Sequence, residues 1–567
     1  MMAYSHDDEI SRRTAMRLLG AAGLGAATAG SVTAQSDGSE TVELKLLHDT
    51  HVHGRLGNAD ESENIENYFG LMDSLTTNPD NTLRLGVGDD LGSSALSTEF
   101  EGKHIVDAFE AGDLSQCTFG NHDFDFGPDV LKTRVSETEG FQWVTANVRK
   151  QETGETFATA EGVKRFDTVN IGGITVGVTG ILTERASEVT SLGSTNEVIQ
   201  PTDALSEVVP EMQSAGADVI IVLSHVANDV ARDIAERVDG IDVMVGDDAA
   251  EVLGDEVVND TILSFVGDGY DHLGEITLQM NSNGVSTHEY TLHTVSDAVS
   301  AMDITPNAAV QETATTYRNQ VDRTPIGETT TQLNCITANL RTEETNMGSF
   351  VADAIRTNLG SDVVIQNGGG IRTGTLYAAG EVTNLLIKQI LPFGNTMIEL
   401  EVTGATIREA LENGVSDYET LEGRFPQVSG MSYEWNPNAP EGERIVSVDI
   451  AGSPLDPETT YTLGTNNFMA DGGDGYEMLP GATVTQEGAG LAEAVIEYIK
   501  QQTPISPTTE GRITRVSTFQ SGTVLEEYDS DDNGSIEIDE LADAGETFAN
   551  GELSITDLGE LGRVFSS

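Results

Sequence analysis

Short apolar runs alternate with longer amphipathic stretches along most of the chain, the rhythm of an α/β protein. Val219-Ile220-Ile221-Val222-Leu223 is continuous apolar sequence and reads as a strand buried on both faces. His104 to Phe109 has helical spacing, and Leu491, Val495, Tyr498 and Ile499 fall on one helical face at i, i+4, i+7 and i+8. The rhythm divides the chain. Residues 42–298 read as one α/β unit and residues 330–516 as a second. Between them, residues 302–328 are polar and close on Thr324-Pro325-Ile326-Gly327-Glu328, predicting a linker helix and a turn. Residues 523–567 form a small helical tail.

Polar residues punctuate the ends of the apolar runs in the first unit. Phe119-Gly120-Asn121-His122-Asp123-Phe124-Asp125 packs an amide, an imidazole and carboxylates into one stretch. Four other runs end in His51-Val52-His53, Gly88-Asp89, Ser224-His225 and Gly246-Asp247-Asp248. Strand alternation predicts Asp49, His51 and His53 on one face. In open α/β sheets ligands collect beyond the carboxyl ends of the strands. Converging ends of this composition suit two hard-to-borderline metal ions, with Asp89 able to bridge them.

Charge sets the solvent in which this fold works. Among 567 residues, 94 Asp plus Glu stand against 29 Lys plus Arg, a formal net charge of -65. Disordered chains lack apolar runs such as 219–223, and the acidity is spread rather than concentrated. It suits a salt-adapted organism: at about 1 M salt the Debye length is about 3 Å and self-repulsion is screened. Dialysis to low salt is expected to unfold the chain, read by circular dichroism. Such a surface excludes a nucleic-acid polymer as partner. Cys117 and Cys335 are too few for a disulfide framework.

Both termini carry separate signals. Arg12-Arg13 ahead of a weakly apolar Ala/Gly-rich stretch ending Val32-Thr33-Ala34 reads as a Tat signal peptide over residues 1–34. It predicts export to an extracellular or cell-surface location, and no apolar run is long enough for a transmembrane segment. At the other end, the twelve residues 529–540 fit an EF-hand loop. Asp529, Asp531 and Asn533 supply side-chain oxygens, Ser535 a carbonyl, Glu540 a bidentate carboxylate and Gly534 the sharp turn for Ca. Residues 550–558 are a degenerate echo. The pair resembles a dockerin-type calcium module and suggests a protein partner.

The order of the motifs resembles the 5′-nucleotidases of the calcineurin-like metallophosphatase superfamily, over residues 42–516. The first half matches through Leu46-Leu47-His48 with His53-Gly54-Arg55, Gly88-Asp89, Gly120-Asn121-His122 with Phe124-Asp125, and Leu223-Ser224-His225. The second half matches through Asn367-Gly368-Gly369-Gly370-Ile371-Arg372, Leu391-Pro392-Phe393-Gly394-Asn395, and Asn467-Phe468 with Gly472-Gly473-Asp474-Gly475-Tyr476. The resemblance implies a metallophosphatase four-layer α/β sandwich, a linker helix and a substrate-binding α/β domain. It implies His53, Asp89, Asn121 and His225 as metal ligands, with His51 and Asp248 at the two altered positions. His122, oriented by Asp125, is implied as catalytic. Arg341, Arg372 and Asn367 line the phosphate end of the pocket, Phe393 and Phe468 sandwich the base, and Asp474 holds the ribose. The implied activity is nucleotide hydrolysis by metal-hydroxide attack on phosphorus, with two divalent ions, Mn or Zn. Nucleoside monophosphates, 2′,3′-cyclic nucleotides and nucleotide sugars are all substrates of relatives.

This sequence departs from the family at two places. His51 stands where the family has Asp, and Gly246-Asp247-Asp248-Ala249-Ala250 stands where it has Gly-Gly-His-x-His or Gln. Ala250 has no donor, so one ion loses a ligand, for which His48, Asp49, Asp247 or water are the replacements within reach of the sequence. The alternative reading is a surface nucleotide-binding or calcium-dependent attachment protein whose site has lapsed.

Overall fold

A computed structural model describes residues 41–516, except Thr50, Asp247 and Asn283, together with Tyr528, residues 538–549, Leu561 and Phe565. The signal-peptide reading and the calcium ligands Asp529, Asp531, Asn533 and Ser535 lie outside the described residues, as does the echo at 550–558. Glu540 is buried in the helix Ile538–Ala549.

The first unit contains, among the described residues, two six-stranded sheets. In one, Val42–His48, Thr82–Gly86, Gln116–Cys117 and Gln142–Trp143 run parallel, with His272–Asn281 and Gly284–Thr294 antiparallel at one edge. In the other, Ile174–Leu182, Val219–His225, Val243–Val245 and Thr261–Val266 run parallel between antiparallel edges. Period-two alternation explains why the sheets stack. Val219, Ile221 and Leu223 point inward onto Leu44, Leu46 and Leu85 of the facing sheet. Ile220 and Val222 point outward onto the helices Pro201–Ser214 and Asn228–Arg237. The first sheet is covered outside by Ile65–Leu75 and Lys103–Ala111. Helix, sheet, sheet and helix make four layers, and burying each such aliphatic side chain is worth about 1.5–3 kcal/mol.

The polar segment between the units is not a free linker. Its helix, Ala308–Gln320, places Val310, Ala314 and Tyr317 at i, i+4 and i+7 against the core of the first unit. Arg318 grips Glu66 at 2.7 and 2.9 Å and donates to the carbonyls of Leu56 and Gly57. The turn expected at 324–328 is instead a strand, Pro325–Thr329, paired with Gly380–Thr383. Ile326 and Thr329 are buried, three positions apart in a strand whose pairing shifts register between Pro325 and Gly327.

The second unit is built on a five-stranded mixed sheet containing Val363–Asn367, Thr396–Thr403 and Thr460–Asn466. Helices Asn346–Leu359 and Leu491–Gln502 cover one face and Gly404–Gly414 the other. The apolar spacing read at 491–499 is the buried face of the Leu491–Gln502 helix.

No described helix is long and apolar enough to cross a membrane. Cys117 and Cys335 are both free and buried.

Candidate active site

The parallel strands of both sheets end at one edge of the first unit, and the loops leaving them carry the predicted residues. Two glycines allow those loops to touch. Gly88 has φ +92°, and a Cβ there would lie 2.3 Å from the amide nitrogen of Gly120. A Cβ on Gly120 would lie 2.1 Å from the Asp89 carboxylate. Asp89 itself sits at φ 56° and His53 at φ 51°, a strained backbone for non-glycine residues. The strain is held by pairing: His53 N–H donates to the Asp89 carbonyl at 2.8 Å and Gly54 N–H to Asp90 at 2.7 Å. The first strand ends at His48, so Asp49, His51 and His53 belong to a loop rather than to one strand face.

The Asp89 carboxylate is the centre of the cluster. Its Oδ1 accepts the His122 N–H at 2.7 Å. Its Oδ2 lies 3.4 Å from His225 Nε2 and 3.9 Å from His53 Nδ1. Asp248 Oδ1 is also 3.4 Å from His225 Nε2. Neither His225 Nε2 nor His53 Nδ1 makes a hydrogen bond of good geometry, although both are buried. Three donor groups emerge: Asp89, His225 and Asp248; His53, Asp89 and His122; and His51, His53 and Asp268. Within each, the ligand atoms lie within 4.8 Å of one another. Buried ring nitrogens that face shared carboxylates without a well-formed hydrogen bond fit divalent cations.

Charge in the cluster follows the same geometry. Burial opposes charge on Asp89, yet His225, His122 and His53 hold its carboxyl well below the ordinary value. Burial would lower His225, but Asp89 and Asp248 raise it well above the ordinary imidazole. A proton there occupies the position a cation would neutralise. Burial pushes His51 down to about 4, helped by His225, and burial with the neighbouring His51 lowers His53 well below the ordinary imidazole. Both are therefore neutral and ready to donate a lone pair.

His122 faces the other way. Its Nδ1 lies 3.1 and 3.0 Å from the two oxygens of Asp125. Burial opposes its charge, but Asp125 and Asp89 lift the imidazole above its ordinary value. Burial also leaves Asp125 raised despite the pull of His122. Asn121 is buried on the same tight turn, Asn121–Phe124.

His122, Asp125 and Asn121 open onto a cavity whose opposite wall comes from the second unit. That wall includes Arg341, Asn367, Arg372, Phe393, Phe468 and Asp474. The units meet here through Thr98, which donates to the Pro392 carbonyl at 2.7 Å, and through Arg185 and Glu422 at 3.3 Å. Phe393 stacks on His122 with centroids 6.0 Å apart, and the Arg372 guanidinium lies 5.2 Å from the centroid of the Phe393 ring. Arg372 Nε is buried without a partner. Burial lowers both Arg341 and Arg372, so each is a desolvated cation. Asn367 donates to Asp474 at 2.7 Å, and burial raises the Asp474 carboxyl. Gly473 leaves the ring of Phe468 its place, since a Cβ would lie 2.3 Å from it.

The structure thus brings His51, His53, Asp89, His225 and Asp248 into linked donor groups and gathers the six predicted substrate residues around one cavity. It corrects two expectations about replacements for Ala250. His48 is turned between the sheets, its Nε2 3.1 Å from Ser264 Oγ and its pKa lowered to about 4 by burial. Asp49 is buried but joins none of the three donor groups, and Asp247 lies outside the described residues. Asp268, not foreseen, stands beside His51 and His53 instead. The signal was available: the apolar run Thr261–Val266 ends in Gly267-Asp268-Gly269, the same punctuation as Gly88-Asp89. Asp123, seen only as one carboxylate among several, proves to be the tie between two loops.

Known proteins resemble this chain in sequence and in fold. Residues 325–481 match the family model of the 5′-nucleotidase C-terminal domain. A trifunctional nucleotide phosphoesterase protein of Bacillus subtilis is 27% identical over 84% of this chain, which spans only 35% of that protein. A 5′-nucleotidase of Diplobatis ommata is also 27% identical, with 83% of this chain and 89% of the relative covered. The crystal structure of a 5′-nucleotidase precursor from Thermus thermophilus superposes with a TM-score of 0.67 at 26% identity, covering 83% of this chain and 99% of that one. Residues 325–481 thus match a 5′-nucleotidase C-terminal domain, and over most of its length the chain is similar in sequence and in fold to 5′-nucleotidases, hydrolases of phosphoric esters.

Proposed function

We propose that the chain hydrolyses nucleotides, releasing phosphate from a nucleoside monophosphate bound across the two units. One observation carries this reading: a single cavity is lined by His122 and Asp125 from one unit and by the arginines, aromatic rings and Asp474 from the other. Arg341 and Arg372 offer forked donors to a phosphate, and the unsatisfied Nε of Arg372 gains a partner when one binds. Phe393 and Phe468 supply faces for a planar base. Asp474 accepts from the ribose hydroxyls. His122 carries the proton for the departing ribose oxygen, and Asp125 holds its ring and charge in place.

His51, His53, Asp89, Asn121, His225 and Asp248 are the residues that would hold two divalent ions, Mn or Zn. Such ions supply Lewis-acid charge to the phosphoryl group and lower the pKa of water. Activity toward 2′,3′-cyclic nucleotides or nucleotide sugars belongs to the same reading, since the phosphate end of the cavity is common to all three. Residues 1–34 would direct export by the Tat route, and residues 529–540 would bind Ca and a protein partner.

The test is phosphate release from AMP in multimolar salt with Mn or Zn supplied. His122→Ala should abolish it while leaving AMP binding intact. Tight AMP binding by the wild-type chain without turnover in any divalent ion would instead mark a nucleotide-binding protein with a lapsed site.

A further inference from the structure

We propose that Asp268 is a metal-ligating residue, which with His51 and His53 forms an outer cation seat chemically unlike the inner seat of Asp89, His225 and Asp248. This rests on the reading that the chain binds divalent cations.

The placement is specific. A ring nitrogen from each histidine and a carboxylate oxygen of Asp268 lie within 4.8 Å of one another. Ligands bound at about 2.1 Å to one ion lie about 3.4–4.2 Å apart, so small side-chain movements close the set. Asp268 sits in a turn between Gly267 at φ 87° and Gly269 at φ 67°. The Gly269 N–H donates to the His51 carbonyl at 2.9 Å, tying the Asp268 turn to the histidine loop through the backbone. His53 Nδ1 has no hydrogen-bond partner of its own.

The seat also answers the loss at Ala250, which has no donor atom. Asp248 does not compensate for it, because its carboxylate faces His225 on the inner side. The outer seat therefore holds two imidazoles and one carboxylate, and the inner seat two carboxylates and one imidazole. Nitrogen-rich sets favour borderline ions such as Zn, and oxygen-rich sets favour harder ions such as Mn. The two seats should sort a Zn and Mn mixture rather than fill at random.

The competing account is that Asp268 serves only its ion pair with Arg55, 3.2 Å away. Metal content separates the two. The full chain, equilibrated in high salt with Zn and Mn and freed of excess by gel filtration, should carry two ions, one of each. Asp268→Ala should carry one, and Arg55→Ala should still carry two, with circular dichroism confirming that both variants are folded. Retention of two ions by Asp268→Ala, or equal loss from Arg55→Ala, would overturn the assignment. Should Asp268→Ala fail to fold, anomalous diffraction from wild-type crystals at the Zn edge decides: a peak within about 2.0–2.2 Å of an Asp268 oxygen supports the seat, and a peak remote from it overturns the seat. A wild-type chain that binds no ion in any salt would overturn the proposed function itself.

Discussion

Asp123 accepts the backbone N–H of Asp89 at 3.0 Å. The same carboxylate takes the N–H groups of Asp90, Leu91 and Gly120 at 3.0, 2.8 and 2.7 Å. One side chain thus fastens the loop that carries Asp89 to the loop that carries Asn121 and His122. Burial raises its carboxyl to about 7 against the pull of these donors. Asp123→Ala would leave four buried donors without an acceptor. Its cost should be on the order of 3 kcal/mol, because unsatisfied buried groups lose their full solvation. Denaturant unfolding in high salt measures this, and metal content should fall with it. A variant as stable and metal-replete as the wild type would show that the loops hold without Asp123.

Asp125→Asn addresses the proton rather than the fold. Asp125 helps to lift His122 above its ordinary pKa. Without that charge the imidazole loses its proton at lower pH. The alkaline limb of the kcat/KM profile for AMP should therefore move to lower pH, and kcat should fall on the order of 100-fold with KM little changed. An unmoved alkaline limb would remove His122 from the role of acid.

The two aromatic residues should separate in kinetics. Phe468 backs onto Gly473. Phe393 stacks on His122 and lies beside Arg372. Phe468→Ala should raise KM about 10-fold or more with kcat preserved, as base stacking is worth about 1–3 kcal/mol. Phe393→Ala should raise KM and lower kcat together. Identical effects on both constants would place both rings in one role.

An acid-sensitive contact lies away from the site. Glu275 accepts from His293 at 2.8 Å and pairs with Lys45 across the strand edge. His293 lowers its pKa, burial opposes, and Lys45 adds to the lowering. A depressed carboxylate stabilises the fold above its unfolded value of 4.5 and loses that contribution as pH falls through the folded value. Glu275→Gln should be less stable than the wild type at pH 7, by about 1–2 kcal/mol. The difference should close progressively below pH 4.5, measured by thermal melts in constant high salt. A pH-independent gap would mean that packing, not charge, makes the contribution.

Much of this was legible from sequence because the signals are local. Val219 to Leu223 had to be a buried strand, since nothing else accommodates so continuous an apolar run, and the helix at 491–502 followed from spacing alone. The clustering of His53, Asp89, His122 and His225 was readable because each punctuates a strand end, where α/β sheets place their ligands. Distance through space was not readable. That Asp268 stands beside His51 depends on how two sheets stack. That His48 turns inward to Ser264 depends on a strand ending one residue before Asp49. That Asp123 holds four amides depends on two glycine-permitted loop contacts. The segment at 308–320 read as a connector because its polar residues outnumber Val310, Ala314 and Tyr317, and only the surface waiting at Glu66, which pairs with Arg318, and at Asp107, which accepts from the Tyr317 hydroxyl, made it part of the core. Periodicity fixes which residues face inward, whereas the partner each one meets is a property of the packed layers.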